Sequence, residues 1–270
     1  MGALDGGAVA LSPWQLALAA CLVLIAGSIS LALRLGLEKR LALASARTVV
    51  QLLIIGFILR WVFGLQHILP ILGVILVMTV IAGRAAVQRS SRTFPGAMWR
   101  SVGTLIVSAW LTAILVTGAI IQIDPWYKAQ YLIPLLGMIL GNALTGISLC
   151  LDQLLQTLAE KRDEVEVELA HGATRWEAAR GPLSGAVRRG MIPIINSMMV
   201  VGLVSLPGMM TGQILAGADP LRAVEYQIVV MFMIAAATAM GCILIALLVY
   251  HRLFNARHQL LSSLISKRPN

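Results

Sequence analysis

The chain has 270 residues, 59% of them apolar and only 12% charged, with a mean hydropathy of +0.86. Soluble domains carry about 25% charged residues, so composition excludes a soluble globular class and leaves room for ~6–8 membrane-spanning helices of ~20 residues each. The net charge of +9 does not point to nucleic acid, because the basic residues lie in short segments between apolar runs, where they set membrane orientation.

Met1–Pro13 lacks a basic region and is followed by a run of span length, Trp14–Leu33, so no cleavable leader is expected. Val49–Phe63 and Ile68–Ala82 come next, separated by the turn Gly64-Leu65-Gln66-His67. Val102–Ile121 and Tyr131–Leu151 are the fourth and fifth runs. The sixth is Met191–Leu206, with Met209 to Leu215 continuing apolar, and the seventh is Gln227–Tyr250. The pattern predicts an all-α polytopic bundle of about seven spans, forming a single transmembrane domain over residues 1–270. Cys21, Cys150 and Cys242 fall inside apolar runs and read as small buried hydrophobes.

Charge tests this count independently. With the first loop placed inside, eighteen Lys and Arg fall in alternate segments on that side, against Arg60, Lys128 and Arg222 on the other. That bias predicts an external N-terminus and a cytoplasmic C-terminus. The tail from His251 places Leu253, Phe254, Leu260, Leu261, Leu264 and Ile265 at helical spacing among basic residues, and residues 251–270 read as a cytoplasmic amphipathic helix on lipid or on a partner.

The segment Asp152–Gly190 is the long connection, about 39 residues of mixed charge. Glu160 to Ala170 lacks Gly and Pro, so the fifth span is expected to continue as helix. Gly172 supplies a C-terminal stop, and Thr174-Arg175-Trp176-Glu177 has capping-box spacing, so a second helix should begin there. The product is a helix–turn–helix elbow over residues 152–190. On these features alone it is either a solvated connector or a docking element.

Glu166-Val167-Glu168-Leu169-Ala170-His171-Gly172-Ala173 resembles the "EAA" loop of ABC-transporter permeases, with Val167 and Glu168 in place of two small residues. Asn196 to Pro220 resembles the signature of the FetB family of iron-export permeases, to which the plant aluminium-sensitivity permeases are similar. Arg47 to Leu53, Gly137 to Asn142 and Ala223 to Gln227 match as well, so the resemblance covers most of the chain. It implies a multi-pass inner-membrane permease, working as a homodimer with a separate ABC-type ATPase that binds ATP and Mg. It also implies that Glu166, Glu168, Gly172, Ala173, Thr174, Trp176 and Glu177 form the coupling element. The chain has no G-x-x-x-x-G-K-[ST] segment, so no nucleotide cofactor is expected on it.

Polar residues at membrane depth are candidate pathway groups. Gln51 lies in the second run, Met138 and Asn142 share a face of the fifth, and Asn196 and Ser205 lie in the sixth, with Gln213 beyond it. Packing between helices is the alternative role for each. Pro207-Gly208 is expected to break the sixth run, as a hinge or as a simple helix end. Met198, Met199, Met209 and Met210 flank that break, either as thioether ligands or as flexible filler. The histidines His67, His171, His251 and His258 are scattered, and no hydrolytic constellation is present.

The function expected is the permease subunit of an ATP-driven exporter of iron or another metal ion, in contact with membrane lipid. The alternatives are export of a non-metal solute and a non-transporting scaffold that recruits a soluble partner.

Overall fold

A computed structural model describes residues 12–64 and 67–268. The expectation for Met1–Leu11, the middle of the Gly64–His67 turn and the last two residues lie outside that range. The protein is a polytopic all-α membrane protein.

Helix α1, Pro13–Ala32, begins at a capping box in which Ser12 and Gln15 bond reciprocally. The turn after it uses left-handed Arg34 (φ 52°) and Gly36 (φ 68°). The Ser30 hydroxyl accepts from the Leu37 N–H at 3.1 Å and donates to Glu38 at 3.2 Å. Helix α2 therefore starts at Glu38 and runs to Gly64, beginning well before the expected Val49. Helix α3 is Ile68–Gln88 and α4 is Ala97–Ile120. Two π-turns, Ile106–Trp110 and Val116–Ile120, interrupt α4. Ser108, Thr112 and Thr117 each donate to the carbonyl four residues back, a local competition that loosens regular α-helical pairing.

Helix α5, Ala129–Glu160, continues about two and a half turns past the apolar run, and Lys161 separates it from α6, Arg162–Ala170. Helix α7 is Arg175–Val200, α8 is Gly208–Leu215 and α9 is Pro220–Leu253. Three helices make the centre of the bundle: α5, α7 and α9. A Cβ on Gly190 of α7 would lie 2.7 Å from the Gly146 carbonyl of α5 and 2.6 Å from Cys242 Sγ of α9. Only glycine lets these backbones approach so closely. Helix α7 carries Pro182 and Pro193 inside it, so its helicity comes from this packing rather than from propensity. By contrast α1 and α2 bury little, with Ser30 and Val62 their only buried residues among those described.

Among the described residues six helices are long and apolar enough to cross a membrane: α1, α2, α3, α4, α5 and α9. The sixth expected run departs from the prediction. Arg175, Arg180, Arg188 and Arg189 occupy the first part of α7, so its apolar part is short, and the helix ends at Val200 rather than Leu206. The terminator is Gly202 (φ 83°) together with the Val200 carbonyl, which accepts from Val204 at 2.9 Å. Pro207 and Gly208 do not end this helix. Pro207 is the N-cap of α8 and Gly208 its first residue.

The tail is also corrected. It is not an amphipathic helix beyond Leu253. Asn255 Oδ1 accepts from the Arg257 and Gln259 N–H groups at 2.9 and 3.0 Å, folding a tight turn that brings Phe254 beside Leu260, both buried. Ser266–Lys267 then pairs antiparallel with Arg92–Thr93, and Arg268 donates to the Val87 carbonyl at 2.9 Å. The tail thus straps the α3–α4 loop, which Asp152 of α5 also holds by accepting from the Ser91 N–H and hydroxyl, each at 2.7 Å.

Candidate coupling elbow and membrane cavity

The elbow forms as its local signals predict. At the end of α6 the Ala173 N–H bonds the Glu168 carbonyl and the Gly172 N–H bonds the Leu169 carbonyl, both at 3.1 Å. This is a Schellman closure, with Gly172 at φ 93°. Two residues later Thr174 and Glu177 cap α7 reciprocally: the Thr174 hydroxyl accepts from the Glu177 N–H at 3.3 Å, and Glu177 Oε2 accepts from the Thr174 N–H at 2.7 Å. Glu166 pairs with Arg162 at 2.7 Å, and Lys161 with Glu164 at 2.8 Å. Both pairs are exposed and add little stability.

The elbow rests on the end of α9 and on the tail. Val165 is buried beneath α6, and Trp176 packs edge-on against Tyr250 with centroids 5.5 Å apart. The Arg175 guanidinium lies 5.6 Å from the Tyr250 ring centre. His258 Nδ1 accepts from the Arg175 N–H at 2.8 Å, adding a non-local cap to α7. Val167 and Trp176 stay 54% and 48% exposed, an apolar surface on an otherwise charged element. Glu168 and Ala173 serve the turn through their backbones.

The Thr174 N–H and hydroxyl hold the Glu177 carboxyl below its ordinary range. Because the native value is depressed, the capping contribution is complete above the ordinary carboxylate value and is lost as pH falls through the native one. Amide protection factors at the start of α7 should therefore fall on acidification in the wild type. In Glu177→Gln they should be lower at neutral pH and lack that acid step.

The membrane candidates separate into two groups. Gln51, Asn142 and Asn196 lie on exposed faces of α2, α5 and α7. The Asn142 side chain donates to the Met138 carbonyl at 2.9 Å, and Met138 is half-buried. Ser205 is exposed in the loop between α7 and α8, while Gln213 is half-buried with its Oε1 unpartnered. The second group converges: Met198 and Met210 line one cavity of about 400 Å³ bounded by α7, the loop, α8 and α9. Met199 is 72% exposed, and neither it nor Met209 is among the cavity walls.

Two wall residues escape the sequence reading, Gln227 and Met231 of α9. Their signal was a glutamine at the head of an apolar run with a methionine one turn on. A buried hydroxyl seam on α4 was also missed. Ser101, Thr104, Ser108 and Thr112 share a face by their spacing of three and four, and Trp110 of the same helix donates to Thr79 of α3 at 2.9 Å. Among the described residues no group of three or more His, Cys, Asp or Glu is placed to hold a metal.

A family profile described as "Uncharacterised protein family (UPF0014)" matches residues 13–254. The chain is similar to UPF0014 membrane protein slr1647 of Synechocystis, at 38% identity over 95% of this chain and 92% of the relative. It is 35% identical to the probable iron export permease protein FetB of Escherichia coli, over 94% of this chain and 96% of the relative. It is 32% identical to protein ALUMINUM SENSITIVE 3 of Arabidopsis thaliana, over 93% and 90%. No solved structure matches.

Proposed function

The chain belongs to the UPF0014 family of membrane proteins, and from that premise we propose that it is the permease subunit of an ATP-driven exporter. It carries a metal ion, iron in the relative named for it, and a separate ABC-type ATPase supplies the energy. The observation that carries this reading is the elbow. It joins two of the three central helices, α5 and α7, through a closure at Gly172 and a double cap at Thr174, and it leaves Val167 and Trp176 about half exposed. A push on such an element shifts α5 against α7 where their backbones touch at Gly146 and Gly190. The chain itself does no hydrolysis in this scheme.

Two copies form the transport unit. Gln51, Asn142 and Asn196 lie exposed on apolar helices, where lipid contact is costly, and a second copy covers them or encloses them in a wet pathway. The assembly sits in the bacterial inner membrane with the elbow and C-terminus cytoplasmic, following the basic-residue bias. Single cysteines test this orientation. In intact cells an impermeant thiol reagent should label Ala218→Cys and leave Lys161→Cys unlabelled. External labelling of Lys161→Cys would overturn the orientation. The function is tested by co-purification with a co-expressed ABC-type ATPase, followed by ATP-dependent iron uptake into inverted vesicles. A scaffold would bind without transporting.

A further inference from the structure

At the end of α7 far from the elbow, the cavity of about 400 Å³ has walls from four successive elements. Met198 comes from the last turns of α7, Met210 from α8, and Met231 from α9. Gln227 lies one turn before Met231, hence on the same face of α9. It is only 6% exposed, and its Oε1 has no hydrogen-bond partner. A buried carbonyl oxygen in an apolar wall is stable only when something satisfies it.

We propose that this cavity binds a thiophilic monovalent cation of the Cu(I) and Ag(I) kind. Met198, Met210 and Met231 are its sulfur donors and the Gln227 amide oxygen its fourth ligand. Softness selects the ion, because thioethers favour Cu(I) over iron and harder metals. Charge agrees, because the cavity walls include no carboxylate and the four donors are neutral, which suits a single positive charge. Calcium- and magnesium-type ions take hard oxygen ligands that normally include carboxylates. Methionine has three rotatable bonds, so sulfurs from three elements can close on one ion within a cavity larger than the ion. Pro207 and Phe232 complete the apolar part of the wall. An apolar solute is the competing occupant. It gains nothing from sulfur over leucine, and the test separates the two on that point.

The binding of this ion does not depend on the permease reading. The experiment uses the purified full chain in detergent without an ATPase, so its failure leaves the transport proposal standing and its success does not depend on it. Ag(I) binding is measured by equilibrium dialysis with metal analysis, for wild type and for the triple variant Met198→Leu, Met210→Leu, Met231→Leu. Both retain Cys21, Cys150 and Cys242, so silver held by thiols cancels. Met199→Leu with Met209→Leu is the control. The triple variant should lose one equivalent of silver, the control should lose none, and Gln227→Leu should weaken that equivalent several-fold. Leucine conserves volume; where the triple variant melts below wild type, the single Met231→Leu and Met210→Leu variants are read instead, each expected to weaken binding about tenfold or more. Silver binding unchanged in folded methionine variants overturns the proposal and leaves the cavity to an apolar solute.

Discussion

Gly190→Val should fail to accumulate as a folded protein, and Gly190→Ala should melt well below wild type. Even the first added carbon meets Cys242 Sγ at 2.6 Å, the Gly146 carbonyl at 2.7 Å and Cys150 Cβ at 3.0 Å. One of these is backbone, so no side-chain rotation relieves the clash, and α5, α7 and α9 must separate. Overpacking costs ~1–3 kcal/mol where a core can adjust, and here a backbone carbonyl is among the groups that must move. Gly146→Leu should behave alike, since its Cβ would lie 2.5 Å from Thr238 and 3.0 Å from the Gly190 carbonyl. Gly185, on an exposed face of the same helix, has nothing within 4 Å of its Cβ. Gly185→Ala should hold or raise stability, by ~0.5–1 kcal/mol from helix propensity alone. Thermal unfolding of Gly185→Ala and Gly190→Ala beside wild type in one detergent checks the contrast. Equal melting of Gly185→Ala and Gly190→Ala would contradict the three-helix crossing.

This crossing bears on function because it lies between the elbow and the cavity. Helix α7 has 26 residues, ~39 Å at 1.5 Å per residue. A glycine contact along such a rod allows sliding or tilting with few side chains in the way.

The apolar runs were legible because lipid demands continuous hydropathy, and the six long helices follow it. The elbow was legible for a different reason. A Schellman glycine and a capping box are written within six residues of chain, from Gly172 to Glu177. Two of the three failures come from non-local contact, and the third from a local stop just upstream of the expected one. Leu253 to Ile265 keeps helical spacing, yet Asn255 and the pairing with Arg92–Thr93 override it. Proline at 207 drew attention as the breaker, while the helix already ended at Val200 through Gly202. Met198 and Met210 were identified without their partners, because Gln227 and Met231 arrive from another helix.

The coupling claim turns on Gly172, where the chain holds φ at 93° and nothing lies within 4 Å of an added Cβ. Gly172→Val therefore strains the backbone by ~1–2 kcal/mol and disturbs no packing, so it deforms the α6–α7 turn and leaves the spans alone. Glu166→Ala frees Arg162 from its exposed pair and removes one carboxylate from the elbow surface. Both variants should insert, remain monodisperse and melt within a few degrees of wild type. The decisive measurement is ATPase capture together with ATP-driven metal uptake in inverted vesicles, on Gly172→Val beside wild type. Capture and uptake should fall together, by about tenfold or more for Gly172→Val and by less for Glu166→Ala. Wild-type uptake by both variants with the ATPase bound would contradict the assignment of the elbow as the coupling element.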